Sequence, residues 1–331
     1  KVLTAIYEQD FLDCSYGYRK GRSAHDAVAE LTRELQFGPY HTVVEADIRG
    51  FFDHMDHDWL LETLEQRIDD RAFLGLIRKW LKASILETDG KVINPETGTP
   101  QGGIISPILA NIYLHYVLDL WIEKNIRPRS GAPVMYLRYA DDIIVGFAHK
   151  SDADAYLSQL PSRLDKFGLR LAEEKSSLVK FNRWNPDVSG KFTFLGFDFY
   201  WGRTRRNKSL AVVRRKTNKK KYQESLRRMK KWIYESRSWP LRMILSSLRR
   251  RLRGYWNYYG VIGNSAMNRK YHAGVKKLIH KWLNRRSQRR SYNWERFGKL
   301  WDGEWQMPAP RIVEQRLSLE RQAELSLAGC R

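Results

Sequence analysis

Asp47, Asp141 and Asp142 are the residues of this sequence best placed to do chemistry. The pair sits in Tyr139-Ala140-Asp141-Asp142, between the apolar runs Val134-Met135-Tyr136-Leu137 and Ile143-Ile144-Val145. That pattern predicts two strands joined by a tight turn. Two adjacent carboxylates at such a turn are costly unless something cationic sits there, and a divalent metal is the usual answer. Alone, an Asp-Asp pair is most often a solvated turn. Asp47 adds a third carboxylate after a strand-like run of its own, Thr42-Val43-Val44. Two short strands ending in aspartates form the donor set that two-metal nucleotidyl transfer needs.

The elements that must position these carboxylates mix strands and helices. Residues 1–13 read as a short helix and Ser15 to Gly21 as a loop. Ser23 caps a helix to about Gln36, with apolar Ala24, Ala27, Val28 and Leu31. Val43 to Ile48 reads as a strand. Asp56 caps a helix beginning Trp59-Leu60-Leu61, and another covers 71–84. Gly98-Thr99-Pro100-Gln101-Gly102-Gly103 is a breaker-rich loop. Ser106-Pro107 opens a helix to about Lys124, with Ile108, Ile112, Tyr116, Val117 and Leu120 at helical spacing. A helix over 151–167, a strand over 169–171 and a hairpin over 191–201 complete an α+β region. Three helices then follow, over 217–236, 239–259 and 264–286. In the middle one Leu241, Ile244, Leu245, Leu248, Leu252, Tyr255, Trp256 and Tyr259 recur at steps of three and four. That stripe claims the aromatics for a core. Arg249, Arg250, Arg251 and Arg253 fall largely outside it and are the expected nucleic-acid contacts, with Lys219, Lys220 and Lys221 at the start of the preceding helix.

Charge divides the 331 residues in the same way. Residues 1–202 hold 24 Lys and Arg against 29 Asp and Glu; residues 203–290 hold 29 against only Glu224 and Glu235; residues 291–331 hold six of each. The expected organisation is a catalytic body over 1–202, a polyanion-binding helical module over 203–290 and an extension over 291–331. Like charges so concentrated repel one another without a partner, and nucleic acid is the natural one. No apolar run reaches the ~18 residues of a membrane span, and no signal peptide is visible. Cys14 and Cys330 form neither a metal-ligand pair nor a disulfide framework. A cytoplasmic location of bacterial type is expected. The chain opens at Lys1 inside a helical pattern without an initiator methionine, which suggests a fragment. Asp53-His54-Met55-Asp56-His57-Asp58 carries metal-ligand residue types, but the eight histidines form no phosphohydrolase set, and the segment reads as a turn and helix cap.

Six segments, in order, resemble the reverse transcriptases encoded by group II introns. They are Ser15-Tyr16-Gly17-Tyr18-Arg19-Lys20-Gly21-Arg22-Ser23, Ala46-Asp47-Ile48-Arg49-Gly50-Phe51-Phe52-Asp53, Thr99-Pro100-Gln101-Gly102-Gly103-Ile104-Ile105-Ser106-Pro107, Tyr139-Ala140-Asp141-Asp142, Glu174-Lys175 and Phe194-Leu195-Gly196-Phe197. The basic segment, with Gly254-Tyr255-Trp256-Asn257-Tyr258-Tyr259, looks like the thumb or maturase domain of that family. The resemblance implies a right-hand polymerase palm with partial fingers and an all-α basic thumb. It implies RNA-directed DNA synthesis with two Mg²⁺ ions held by Asp47, Asp141, Asp142 and the backbone carbonyl of Ile48. Intron RNA would be the template, DNA or RNA the primer, and deoxynucleoside triphosphates the substrates. Phe52 would exclude a 2′-hydroxyl, with Phe51 the alternative. Gln101 and Gly102 would approach template and nucleotide, Arg19 and Arg22 would bind substrate, and Lys175 would protonate leaving pyrophosphate. The family's N-terminal fingers segment and its zinc and endonuclease modules are not seen in this sequence, and the short C-terminus resembles the group IIC class. The rival expectations are an RNA-binding splicing factor without polymerase activity, or a relative domesticated for phage defence or CRISPR adaptation.

Overall fold

The computed structural model describes residues 1–83, 85–86, 92–93, 97–99, 103–204, 209–286 and 292–314. These divide into two compact units. One comprises Lys1–Leu195 with Phe199–Arg214, the other Gly196–Asp198 with the chain from Arg215 onward.

The first unit begins with helices α1 (Val2–Tyr7) and α2 (Ala24–Phe37), then strand β1 (Thr42–Ala46). Helices α3 (Phe51–His54), α4 (His57–Glu65) and α5 (Arg71–Leu81) follow, with a short hairpin of β2 (Ile85–Leu86) and β3 (Val92–Ile93). Next come α6 (Ser106–Leu114), β4 (Val134–Tyr139), β5 (Asp142–Phe147), α7 (Lys150–Asp165), β6 (Ser177–Lys180) and β7 (Lys191–Phe194). Strands β8 (Phe197–Arg203) and β9 (Ala211–Thr217) pair in the order β7-β8-β9. The helix starts are set by side chains that satisfy open backbone N–H groups. Ser23 and Asp26 form a capping box on α2, and Asp56 and Asp70 cap α4 and α5.

The principal sheet has the order β4-β5-β1-β6, with β1 antiparallel to both neighbours and β4 antiparallel to β5. Its central strands are near-continuous apolar runs because both faces are covered. Val44, Ala46, Ile143, Val145 and Phe147 join a core with Leu60, Leu64, Leu109, Ile112, Leu160 and Leu164 from α4, α6 and α7. Val43, Met135, Leu137 and Ile144 are buried as well, and α2 packs on β4. Each such aliphatic side chain contributes about 1.5–3 kcal/mol when fully buried.

Two sequence expectations are corrected by the structure. The helix expected over 106–124 is α-helical only to Leu114. It continues as π-helical turns His115–Asp119 and Ile122–Ile126, the first ending on the fully buried Asp119. The strand expected over 169–171 is a single bridge, Leu171 to Ile48, and the strand beside β1 is β6. That edge strand is only half-buried, so its alternation is weak. Strand β9 and the helix over Trp294–Asp302 were not read at all.

The second unit holds α8 (Lys219–Glu235), α9 (Leu241–Tyr259), α10 (Ser265–Leu283) and α11 (Trp294–Asp302). Asn218 caps α8 by accepting from the N–H groups of Lys220 and Lys221. The stripe of α9 is core: Leu248, Leu252, Tyr255 and Trp256 pack with Tyr271, Val275 and Ile279 of α10. Tyr255 and Tyr271 stack with centroids 3.6 Å apart. Phe297, Trp301, Trp305 and Met307 join the same core. Residues 292–307 therefore pack into the basic unit.

Candidate active site

The strand register brings the three aspartates to one end of the sheet. Ala46 lies opposite Ile143 and Tyr139 opposite Asp142, so Asp47 stands one step on at the level of Asp142. The main chain at Asp47 is fixed from the segment before β6: its carbonyl accepts from the N–H of Ala172 at 2.8 Å and its N–H donates to Ser176 Oγ at 3.4 Å. Lys175, in the 3-10 turn Glu173–Lys175, donates from Nζ to Asp47 Oδ2 at 2.7 Å. That hydrogen bond and the charge of Asp47 raise the lysine above its usual range. Burial raises the carboxyl of Asp141, and the charge of Asp47 adds to the rise, against its own backbone hydrogen bond and the charges of Lys175 and Arg138. Among the described residues no three His, Cys, Asp or Glu side chains already converge on one metal point. The cation at Asp47 is the Lys175 ammonium. A donor set of hard carboxylate oxygens, with one carboxyl resisting ionisation, is nonetheless the chemistry that fits Mg²⁺.

The turn carrying Asp141 is held from beneath by a buried network. Ala140 adopts φ 54°, a left-handed conformation that the two-residue connection demands and alanine disfavours. Arg138, fully buried, donates from Nη1 to the Ala140 carbonyl at 3.2 Å and to Asn111 Oδ1 at 3.0 Å. Its Nε and Nη2 engage both oxygens of Asp119 at 2.8 and 2.7 Å, and Nη2 also reaches Ser15 Oγ at 2.8 Å. Tyr136 donates to Asp119 at 2.7 Å. Burial pushes the Asp119 carboxyl up, but the charge and hydrogen bonds of Arg138, the hydrogen bond of Tyr136 and the neighbouring His115, 3.7 Å away, outweigh it and hold the group at about 2. The Ser15 segment runs parallel along β4: Arg138 N–H donates to the Cys14 carbonyl and Tyr16 N–H to the Arg138 carbonyl. Asn111 Nδ2 then fixes the Gly17 carbonyl at 2.7 Å. A Cβ on Gly17 would lie 2.4 Å from the Ala140 nitrogen, so only glycine allows this approach.

The other expected site residues divide. Ile48 is buried and bridges to Leu171. Phe51 is 2% exposed in the core, whereas Phe52 is half-buried at the rim, with ring centroids 5.3 Å apart. Gly98 and Thr99 are tied beneath them, donating to the Met55 and Phe52 carbonyls at 2.7 Å each. Gln101 and Gly102 lie outside the described residues. Arg19 is corrected to a structural residue: it pairs with Glu8 and donates to the carbonyls of Leu12, Ser15 and Phe11 with little exposure. Arg22 likewise holds the carboxylate and carbonyl of Asp13 and lies over the Tyr16 ring. Tyr18, which sequence reasoning missed, is 55% exposed at φ 59°. Its hydroxyl is raised by burial first, then by Asp141, Tyr139 and Asp142, which places it beside the carboxylates. Its place directly after Gly17, in a loop closed by Gly21, was the signal for it.

In the second unit Lys219, Lys220 and Lys221 are exposed at the start of α8, as are Arg250, Arg251 and Arg253 on α9. Arg251 lies 4.5 Å over the Trp232 ring. Arg249 differs: its Nε and Nη2 both donate to the Trp305 carbonyl, at 3.0 and 2.8 Å. That contact ties α9 to the segment after α11 and gives Arg249 a structural role.

The antiparallel sheet is thus flanked by helices and carries the three aspartates at one end. The family model described as reverse transcriptase (RNA-dependent DNA polymerase) matches residues 1–199, and the chain belongs to that family. Its relatives include group II intron-encoded proteins, in agreement with the motif resemblance. The group II intron-encoded protein LtrA of Lactococcus lactis subsp. cremoris is 29% identical over 342 residues, covering 80% of this chain and 55% of LtrA. The uncharacterized 91 kDa protein in the cob intron of Schizosaccharomyces pombe is 45% identical over 123 residues, 37% of this chain and 15% of that protein. Apo telomerase from Candida Tropicalis shares the fold at a TM-score of 0.50 and 14% identity, over 90% of this chain and 52% of that one. The chain spans about half the length of LtrA. No described helix is long and apolar enough to cross a membrane.

Proposed function

We propose that this chain is an RNA-directed DNA polymerase that copies intron RNA into cDNA and, through its basic helical unit, assists group II intron splicing and mobility. The observation that carries the reading is the meeting of Asp47, Asp141 and Asp142 at one end of β1 and β5 in a reverse transcriptase fold. In this reading residues 1–202 act as palm and partial fingers and 203–290 as thumb and maturase domain, whose core residues 292–307 complete. Asp47, Asp141 and the Ile48 carbonyl would hold two Mg²⁺ ions, with Asp142 in support. Bound there, the ions lower the pKa of the primer 3′-hydroxyl and stabilise the leaving pyrophosphate. Lys175, held beside Asp47, would give its proton to pyrophosphate. Phe52, half-buried at the rim, would exclude a 2′-hydroxyl, and Arg138 holds the turn so that Asp141 keeps its place when substrate enters.

The test is primer extension on an RNA template, with RNA binding measured on the same preparation. Asp141→Ala and Asp47→Ala should abolish extension and leave binding intact. Extension by Asp141→Ala at the wild-type rate overturns the site. RNA binding without extension by the wild-type chain would favour the splicing-factor reading, which the charge excess of residues 203–290 supports.

A further inference from the structure

Tyr234 and Trp282 form an aromatic corner at matching ends of α8 and α10. The two helices run parallel, since Tyr222 meets Tyr271, Leu226 meets Gly274 and Tyr234 meets Trp282 in that order. The last pair has ring centroids 5.0 Å apart at 71°, edge to face. Tyr234 lies off the buried stripe of α8, which is Met229, Trp232 and Ile233, and is 46% exposed. Beside it opens a groove of about 450 Å³ lined by Arg227, Lys230, Lys231, Tyr234 and Trp282. Arg237 backs the Tyr234 ring at 4.0 Å and donates to its carbonyl at 2.6 Å, which fixes the ring in place. Lys281 and Arg285 lie 5.9 and 5.7 Å from the centre of the Trp282 ring. Glu235 stands 3.9 Å from Lys231 and offsets one charge of the cluster.

Cations near helix C-termini complement the macrodipole, and that accounts for part of the charge. It does not account for a large ring held open to solvent by an arginine, against a second ring. An aromatic face inside a cationic groove is the composition that binds unpaired nucleotides: every base has a face to stack, and its flanking phosphates need cations. A paired RNA helix keeps its bases stacked inside, so only a bulged, looped or terminal nucleotide can reach such a ring.

We propose that this corner captures an unpaired nucleotide of the bound RNA, its base stacking on Tyr234 with Trp282 as the side wall and Arg227, Lys230 and Lys231 on the adjacent phosphates. The inference rests on the reading that the basic unit binds RNA. The experiment measures affinity of the full chain for two labelled RNAs: a fully paired hairpin, and the same hairpin extended by an unpaired uridine tail. The wild-type protein should prefer the tailed RNA. Tyr234→Ala should weaken tailed binding by about five-fold or more, the loss of one stacked base. It should leave hairpin binding and the salt slope unchanged, because no charge is removed. Tyr234→Phe should keep the preference. Tailed binding unaltered by Tyr234→Ala, or an equal loss on both RNAs, overturns the corner while hairpin binding upholds the RNA reading. Failure of the wild-type chain to bind either RNA overturns the RNA reading itself.

Discussion

Arg138 was invisible as a functional residue in the sequence because it stands inside an apolar strand, and its partner Asp119 belongs to a different element. Spacing exposed Asp47, Asp141 and Asp142, since carboxylates after apolar runs break a local pattern. The pairing that holds them depends on tertiary contact alone. Asp119→Asn leaves the Arg138 guanidinium buried without its counter-charge, and should destabilise the first unit by about 3–5 kcal/mol. The pH dependence follows from the same pair. The folded carboxyl sits at about 2, below its ordinary value. Its contribution is complete above that ordinary value and is lost as pH falls through the folded one. Denaturant unfolding followed from about pH 5 down to pH 2 should show the wild-type loss over the lower part of that range. The Asn variant, weaker throughout, should lack that component of the slope; identical slopes would mean Asp119 is not the depressed group. Phe52 was legible by its place five residues after Asp47, and its half-burial beside the fully buried Phe51 favours it as the gate. Phe52→Ala should raise ribonucleotide relative to deoxyribonucleotide incorporation in direct competition. An unchanged ratio points away from Phe52.

At the scale of elements, helix starts and the two strands of the carboxylate turn were readable because caps and apolar runs are local signals. The π-helical continuation of α6 was not, because a wider turn leaves the apolar spacing nearly unchanged. Nor was the Ser15–Gly17 segment as an added rung on β4, since its hydrogen bonds go to a strand more than a hundred residues away. That rung is the element that braces the active turn, and Gly17 is where it can be broken. Gly17→Ala drives a Cβ against the Ala140 backbone. It should cost about 1–3 kcal/mol in stability and reduce extension by up to about a hundred-fold through displacement of Asp141. Gly75→Ala is the contrasting change. It lies within α5 with nothing within 4 Å of the added carbon, so it should stabilise by about 0.5–1 kcal/mol and leave extension unchanged. Extension as little altered by Gly17→Ala as by Gly75→Ala would remove Gly17 from the brace of the active turn.

At the scale of the whole molecule, charge was the most legible property, because counting needs no fold. The 29 basic residues over 203–290 marked a polyanion-binding region directly. Which of them face a ligand was not legible, because periodicity separates core from surface but does not separate free cations from those that bind backbone. Arg249 is the instructive case: it lies off the apolar stripe, yet its Nε and Nη2 both donate to the Trp305 carbonyl. Replacing Arg249, Arg250, Arg251 and Arg253 together would therefore mix lost packing with lost charge. The clean variant substitutes glutamine at Lys219, Lys220, Arg250 and Arg253, all exposed. If wild-type binding engages about six to ten phosphates, affinity should fall about 10³–10⁵-fold between roughly 50 and 200 mM salt by the duplex-DNA rule. Each phosphate contact removed should lower the slope of log affinity against log salt by about one, so the fourfold variant should bind weakly and with a visibly flatter slope. Circular dichroism should match the wild type, because the α9 stripe and its contacts with α10 are untouched. Arg249→Gln should do the reverse, lowering the melting temperature while leaving the salt slope in place. A fourfold variant with wild-type slope would remove these cations from the interface, and salt-independent binding by the wild type would remove phosphate recognition from the basic unit altogether.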